Sequence, residues 1–329
     1  MGKAQSLVAG IDVGGTTVKI ALIDTEGTIQ LKWEIPTNQK NQGAYIMQET
    51  AASIQAVLKQ ESLSIHAAGV GAPGFIDVEN GIISEAVNVG WKDYYLKQEL
   101  EALLHVPVVV DNDANLAAGG EKWKGSGAGA SNLLAVTLGT GVGGGIIAGG
   151  EIIHGEFGMA GEIGHIQSVR ENGARCNCGK YGCLETVSSA TGIARLGLEK
   201  VQTERRGYLQ DRLSEQGTIS AKDVLDGARA GDPDAESVFE EAVEHLGFAL
   251  ANLCNSLNPE VIVIGGGVSK GGAFLTDAIT RHFKRFAIPV IGEKTKINLA
   301  VLGNDAGVIG AAWLASKTFP EGARQLYER

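Results

Sequence analysis

Three thiols, Cys176, Cys178 and Cys183, crowd into "CNCGKYGC", and the fourth cysteine, Cys254, lies far downstream. Thiolates at this spacing suit a soft metal ion, and three of them leave one over in any self-contained disulfide scheme. Cys254 falls in "FALANLCNSLN", a helical pattern, and reads as a small buried hydrophobe. A second chemical group is "VVVDNDANLAAGGE", where an apolar strand runs into a helix carrying Asp111, Asn112 and Asp113. A helix N-terminus accounts for one of these residues as a cap. Two acids around an asparagine exceed that need. The carboxyl end of a strand is where α/β proteins place such groups. Phosphoryl transfer to an alcohol needs a carboxylate there to receive the hydroxyl proton. Asp113 is assigned that role, with Asn112 as a neighbouring hydrogen-bond partner for the acceptor.

Three glycine turns supply a third chemistry: "DVGGTT" (12–17), "GTGVGGG" (139–145) and "GGGVSKGG" (265–272). Gly139, Gly141 and Gly144 match G-x-G-x-x-G, but the residues that follow read as a strand, where a dinucleotide fingerprint requires a helix. None fits the P-loop pattern. What remains is a grip built on a β-hairpin, in which amides and the hydroxyls of Thr16, Thr17 and Thr140 face phosphate oxygens. Asp12 would repel phosphates unless a cation intervened. Its expected task is to orient Mg²⁺ through water.

The elements that must position these groups repeat. "SLVAGIDVGG", "TVKIALIDTEG" and "TIQLKWEI" read as a three-stranded meander. A helix at 44–60, a strand "AAGVGAPG", a helix at 94–104, a strand "VPVVV" and a helix at 112–123 follow. "SNLLAVTLGTGVGGGIIAGGEII" then starts a second meander. Helices at 186–200, 219–229 and 234–257, a strand "EVIVIGGG", a helix, a strand "KINLAVL" and a last helix from Asp305 complete it. Two similar α/β domains are expected, each offering a glycine turn to a central cleft. Their boundary falls in "KGSGAGAS" (124–131). The first domain spans 1–124, joined by the helix 305–329; the second spans 125–304.

The 329 residues carry a net charge of −10, which argues against a nucleic-acid partner. "KVQTERRGYLQDR" (200–212) is basic but mixed and reads as a solvated helix face or connector. No apolar run is long enough to span a membrane, and the N-terminus does not read as a signal peptide, so a cytoplasmic location is expected. His154 reads as a loop histidine, with a place lining the cleft as the alternative.

Taken together, "DVGGTTVK", "GAPG", "NDANLAA", "LGTGVGGGII", "GEIGH", "CNCGKYGCLE" and "GGGVS" resemble the ROK family of repressors and sugar kinases over nearly the whole chain, most of all its bacterial ATP-dependent glucokinase branch. The resemblance implies the actin-like ATPase (ribonuclease H-like) duplicated α/β fold. It implies phosphorylation of D-glucose to glucose 6-phosphate by Mg²⁺·ATP, a cytoplasmic homodimer, and one structural Zn²⁺ on His165, Cys176, Cys178 and Cys183. The family's sugar contacts fall on Asn112, Asp113, Glu162, His165 and Glu185, joined by Gly74 and Asn88, and its base falls on Asp113. Its nucleotide contacts fall on Asp12, Gly14, Gly15, Thr16, Thr17 and Lys19, on Gly139, Thr140 and Gly141, and on Gly265, Gly266 and Gly267. Glu162 and Glu185 stand close to the metal residues, so a metal here would support recognition and leave the chemistry to other groups. Rival readings are a kinase for another hexose or an N-acetylated amino sugar, and a sugar-sensing regulator without catalysis. A first glycine motif beginning at Asp12 leaves no room for a preceding DNA-binding domain, which counts against the regulator.

Overall fold

In the computed structural model, residues 7–201 and 207–321 are described; residues 1–6, the 202–206 part of the basic stretch and the tail 322–329 lie outside them. Strand β1 (Leu7–Val13) is apolar on both faces and belongs at a sheet centre. It pairs antiparallel with β2 (Thr17–Ile23), which pairs with β3 (Ile29–Pro36). A one-turn α1 (Lys40–Gly43) and α2 (Ile46–Glu61) lead to β4 (Ile65–Ala72), parallel to β1. Next come β5 (Phe75–Asp77), β6 (Ile82–Ala86) and β7 (Trp91–Tyr94), which form a separate sheet that the sequence pattern does not announce. Strands of this length fall below any periodicity window. Helix α3 (Leu96–Leu104), β8 (Val108–Asn112) and α4 (Asp113–Lys124) follow, with β8 parallel to β4.

The second half opens with β9 (Leu133–Leu138), β10 (Val142–Ala148) and β11 (Glu151–Ile152). Five helices follow: α5 (Glu185–Ser188), α6 (Ala190–Val201), α7 (Tyr208–Gln216), α8 (Ala221–Arg229) and α9 (Pro233–Leu257). Helix α7 replaces the second part of the expected connector, because Leu209 gives it a buried anchor. Then come β12 (Val261–Gly265), α10 (Gly272–Phe286), α11 (Pro289–Lys294), β13 (Lys296–Leu299) and α12 (Ala306–Thr318). The sheet orders are β3-β2-β1-β4-β8 and β11-β10-β9-β12-β13. Each is a meander extended beyond its first strand by two parallel strands, so the topology is duplicated even where the sequence is not. The third glycine turn differs from the other two. It leaves β12 through a 3₁₀ turn, Gly267–Gly271, into α10 and is not a hairpin.

The described residues form two compact units: one holds those up to Gly129, Ile152–Ala160 and those from Leu302, and the other holds Ala130–Glu151 and Gly161–Val301. No described helix is long and apolar enough to cross a membrane. In the second unit, Leu246, Leu250 and Cys254 of α9 pack with Ile262 and Ile264 of β12 and Phe283 of α10.

In the first unit, the two-residue period of β1 sorts its side chains. Leu7, Ala9, Ile11 and Val13 join Met47 and Ile54 of α2 and Leu96 and Leu100 of α3. Val8 faces the other way, toward Val308, Ile309, Ala312 and Ala315 of α12. Gly10 and Gly69 lie under α12, where a Cβ would meet the Val308 carbonyl oxygen at 2.0 Å and the Ala311 carbonyl oxygen at 1.9 Å. Neither oxygen can move without breaking the helix. Gly69→Ala is therefore expected to cost about 1–3 kcal/mol, the usual range for overpacking. Urea unfolding that matches wild type would show that α12 does not rest on this strand.

Candidate active site

The first phosphate turn is closed by the Gly14 amide donating to the Thr17 carbonyl at 3.0 Å. Two residues after β3 brace it. The Thr37 hydroxyl donates to the Gly14 carbonyl at 2.7 Å. The Gln39 amide donates to the Gly15 carbonyl at 2.5 Å and to the Asn88 carbonyl at 3.0 Å, which ties the Asn88 turn to the phosphate turn. Thr37 and Gln39 sit in a polar run whose types alone do not single them out. Asp12 ends β1 with Lys19 Nζ 3.7 Å from its carboxylate. Burial pushes the Asp12 carboxyl above its ordinary value, and Lys19 pulls it back. A cation beside Asp12 would offset that burial, so the residues fit a Mg²⁺ held next to bound phosphates.

Asp12 pairs laterally with Gly71, and Gly71 with Asp111, so both acids leave one edge of the same sheet. Asn112 is the N-cap of α4, its side chain accepting from the Ala114 amide at 2.9 Å. Asp113 opens the helix, exposed, with Oδ1 accepting from the same amide at 2.8 Å. Asp111 is fully buried. Its Oδ1 accepts from the Asn112 amide at 2.7 Å and from Asn115 Nδ2 at 3.0 Å, and its Oδ2 lies 2.7 Å from His154 Nε2. His154 stays in a loop, as expected, but it is not an idle surface residue: its ring is hydrogen-bonded to a buried carboxylate. No spacing rule links positions 111 and 154; only the recruitment of 152–160 into the first unit does. The hydrogen bond to Asp111 raises the His154 pKa from its ordinary value, against burial. A cavity of about 600 Å³ lies beside it, lined by Phe75, Asp77, Glu79, Ser84, Glu156 and Phe157 among others. Gly74 enters β5 in the left-handed region, against the Glu85 carbonyl.

The second unit gathers the remaining residues. His165, Cys176, Cys178 and Cys183 bring their ligand atoms within 4.8 Å of one another. Cys176 Sγ lies 3.5 Å from His165 Nδ1, and Cys178 Sγ lies 3.6 Å from Cys183 Sγ. Zinc–sulfur bonds of about 2.3 Å place tetrahedral ligand atoms about 3.5–3.8 Å apart, so the set fits that ion. Burial pushes the Cys176 thiol up to about 12 and the Cys183 thiol upward. A bound cation would reverse both shifts. His165 Nε2 points away from the thiols, 3.7 Å from Glu162.

Glu185, at the start of α5, touches two sites. Its Oε1 lies 3.6 Å from Cys176 Sγ, and its Oε2 accepts from the Val142 amide at 3.1 Å, within the second phosphate turn. A Cβ at Gly141 would come within 2.1 Å of that Oε2, so a side chain there would push the carboxylate off the Val142 amide. The Gly139 amide donates to the Gly141 carbonyl, closing the hairpin between β9 and β10. A further cavity of about 300 Å³ lies between Gly267–Gly271 and α8, lined by Ser220, Lys222, Asp226 and Arg229 among others. The α8 residues carry no glycine signature, and the sequence reading missed them.

A duplicated α/β topology with a glycine hairpin turn in each half defines the actin-like ATPase fold. Residues 8–318 match the ROK family, and the chain belongs to that family. The glucokinase of Halalkalibacterium halodurans is 52% identical over 311 residues, covering 94% of each chain. A ROK family glucokinase from Streptomyces griseus, solved in complex with glucose and AMPPNP, is 33% identical with a TM-score of 0.73, over 95% of this chain and 100% of that one. A ROK hexokinase from Thermus thermophilus is 29% identical with a TM-score of 0.81, over 96% of this chain and 100% of its own.

The raised His154 pKa has a testable sign. The charged pair with Asp111 is fully formed below the unfolded histidine value, roughly 6.5. Its contribution is lost as pH rises through the higher folded value. Asp77, Glu79 and Glu156 face the same cavity, and Asp77 is held low by its hydrogen bonds to Asn80. Wild type should therefore lose more melting temperature than His154→Gln on going from neutral to alkaline pH. Parallel pH curves for the two proteins would remove the ion pair from the stability of this unit.

Proposed function

We propose that this protein transfers the γ-phosphoryl group of ATP to the 6-hydroxyl of D-glucose. The observation that carries the reading is Asp113, exposed on the first turn of α4, at the same sheet edge from which Asp12 and the first phosphate turn emerge. Asp113 accepts the 6-hydroxyl proton as that oxygen bonds to the γ-phosphorus. The bond from phosphorus to the bridging oxygen breaks, and ADP leaves. Asn112 orients the acceptor. Gly74, Asn88, Glu162, His165 and Glu185 offer groups for the remaining hydroxyls. Amides and hydroxyls of Gly14, Gly15, Thr16 and Thr17, with Lys19, take one phosphate group, and Gly139, Thr140 and Gly141 take another. The pocket between Gly267 and α8 takes the adenosine, with Gly265 and Gly266 shaping its floor. Mg²⁺, held near Asp12, supplies charge neutralisation on the phosphates. The 52% identity to a glucokinase favours glucose over other hexoses. A coupled assay over a panel of hexoses and N-acetylated amino sugars tests the choice, and a preference for any sugar but glucose would overturn it.

The thiol cluster is assigned a closed structural zinc. Its four protein ligands leave no position open for chemistry. About one zinc per chain is expected by elemental analysis. Cys176→Ser should lose the metal and weaken glucose binding more than ATP binding. Zinc loss with intact glucose affinity would make the cluster a fold staple alone.

Asp113→Asn separates a base from a cap, because asparagine caps equally well. Turnover should fall by about 10²–10⁴ while glucose still binds. Turnover within a few-fold of wild type would exclude Asp113 as the proton acceptor.

A further inference from the structure

We infer that His154 is a positioning residue for the reaction: through the buried Asp111 carboxylate, it holds the first turn of α4 and thereby aims Asp113. The inference rests on the reading of Asp113 as proton acceptor.

The chain spends residues 152–160 in the first unit, then returns to the second at Gly161. His154 is seated from two sides. Its carbonyl accepts from the Ala160 amide at 2.9 Å, which closes the stretch into a loop. Gly158 packs on the Ile76 carbonyl of β5, with room for no side chain. The imidazole is thereby presented to Asp111 with Nε2 at 2.7 Å.

Asp111 is the hub of this arrangement. It is wholly buried, and each named partner does local work. The Asn112 amide, bound to Oδ1, fixes the residue that caps α4. Asn115 Nδ2, also on Oδ1, fixes the next turn of the helix face. His154 Nε2, 2.7 Å from Oδ2, is the third partner of the carboxylate. A buried carboxylate deprived of that partner must draw in water, take a proton or turn. Any of these disturbs the Oδ1 contacts that hold Asn112 and Asn115. Asp113 lies between those two residues and moves with them. Phosphoryl transfer depends on placement, and displacements of about 1 Å can cost on the order of a hundredfold.

The test compares His154→Gln with His154→Met. Both keep the side-chain bulk, and only glutamine retains an N–H donor for Asp111. His154→Met should lower kcat for glucose by roughly tenfold to a hundredfold, with the MgATP KM within about twofold of wild type. His154→Gln should recover most of the loss. Rates are normalised to the fraction of protein that binds nucleotide, so a misfolded fraction is removed from the comparison. A cycle with Asp113→Asn completes the test. If His154 acts through Asp113, the double variant Asp113→Asn with His154→Met is no slower than Asp113→Asn alone. An unimpaired His154→Met beside a crippled Asp113→Asn overturns the positioning role and leaves the base reading standing. Additive losses, or equal losses in the Gln and Met variants, overturn it as well. Near-normal turnover in Asp113→Asn sinks the base reading, and this inference with it.

Discussion

Helix α12 meets β1 and β4 backbone to backbone, and the acceptor side of the first unit depends on that contact. The carbonyls of Val308 and Ala311 occupy the space where side chains at 10 and 69 would stand. Such proximity excludes every residue but glycine at both positions. It also decides what the same sheet face carries further along. Asp12, Gly71 and Asp111 lie in one lateral row beyond Gly10 and Gly69. A Cβ at Gly307, near the start of α12, would come within 2.9 Å of the Asp12 carboxyl. The first phosphate turn and the capped start of α4 are therefore set by one packing decision. Burial then leaves Asp12 short of positive charge, which a cation bound with phosphate can supply.

The second unit solves a related problem with a side chain. Glu185 reaches the second phosphate turn at the Val142 amide and the thiol cluster at Cys176. A carboxylate that touches both ties the shape of the hairpin to the order of the metal loop. That loop makes only sparse regular structure, the isolated bridges Gln167↔Cys183 and Arg175↔Tyr181. Backbone hydrogen bonds such as Cys176 to Lys180 and Gly182 to Ala174 shape the loop, and a bound ion would add to them by joining His165 to the three cysteines.

Much of this was legible before any coordinates. The two meanders, the helix opening at Asp113 and the converging His165 and cysteines each carry a local signature: alternation, a cap, a ligand type at a set spacing. The duplicated sheet order bears out the repeat that the two meanders announce. The unread parts share a physical cause. The sheet of β5, β6 and β7 is made of strands too short to show a period. The α8 wall of the small cavity is an ordinary amphipathic helix that gains a role only from what packs opposite. Helix α12 opens with a run of small and branched apolar residues, Ala306 to Ala312, and that pattern says "buried" without saying against what.

His154 and Asp111 show the limit most clearly. Asp111 and Asp113 are the same residue type, two positions apart, at one strand end, and pattern reading has no means to rank them. Environment does. Asp111 ends the strand pointing into the protein, accepts two N–H groups and faces an imidazole, so its lone pairs are spent on structure. Asp113 has crossed the cap and stands exposed on the first helical turn. Two identical carboxyl groups stand in opposite settings because burial and partners differ, not because their chemistry does, and the proposed base is the exposed one. The inner acid can hold the outer one in place only while something holds the inner acid, and that partner comes from a loop 43 residues away in the chain. Long-range pairing of this kind leaves no trace in spacing, and the three-dimensional fold is the first level at which it exists.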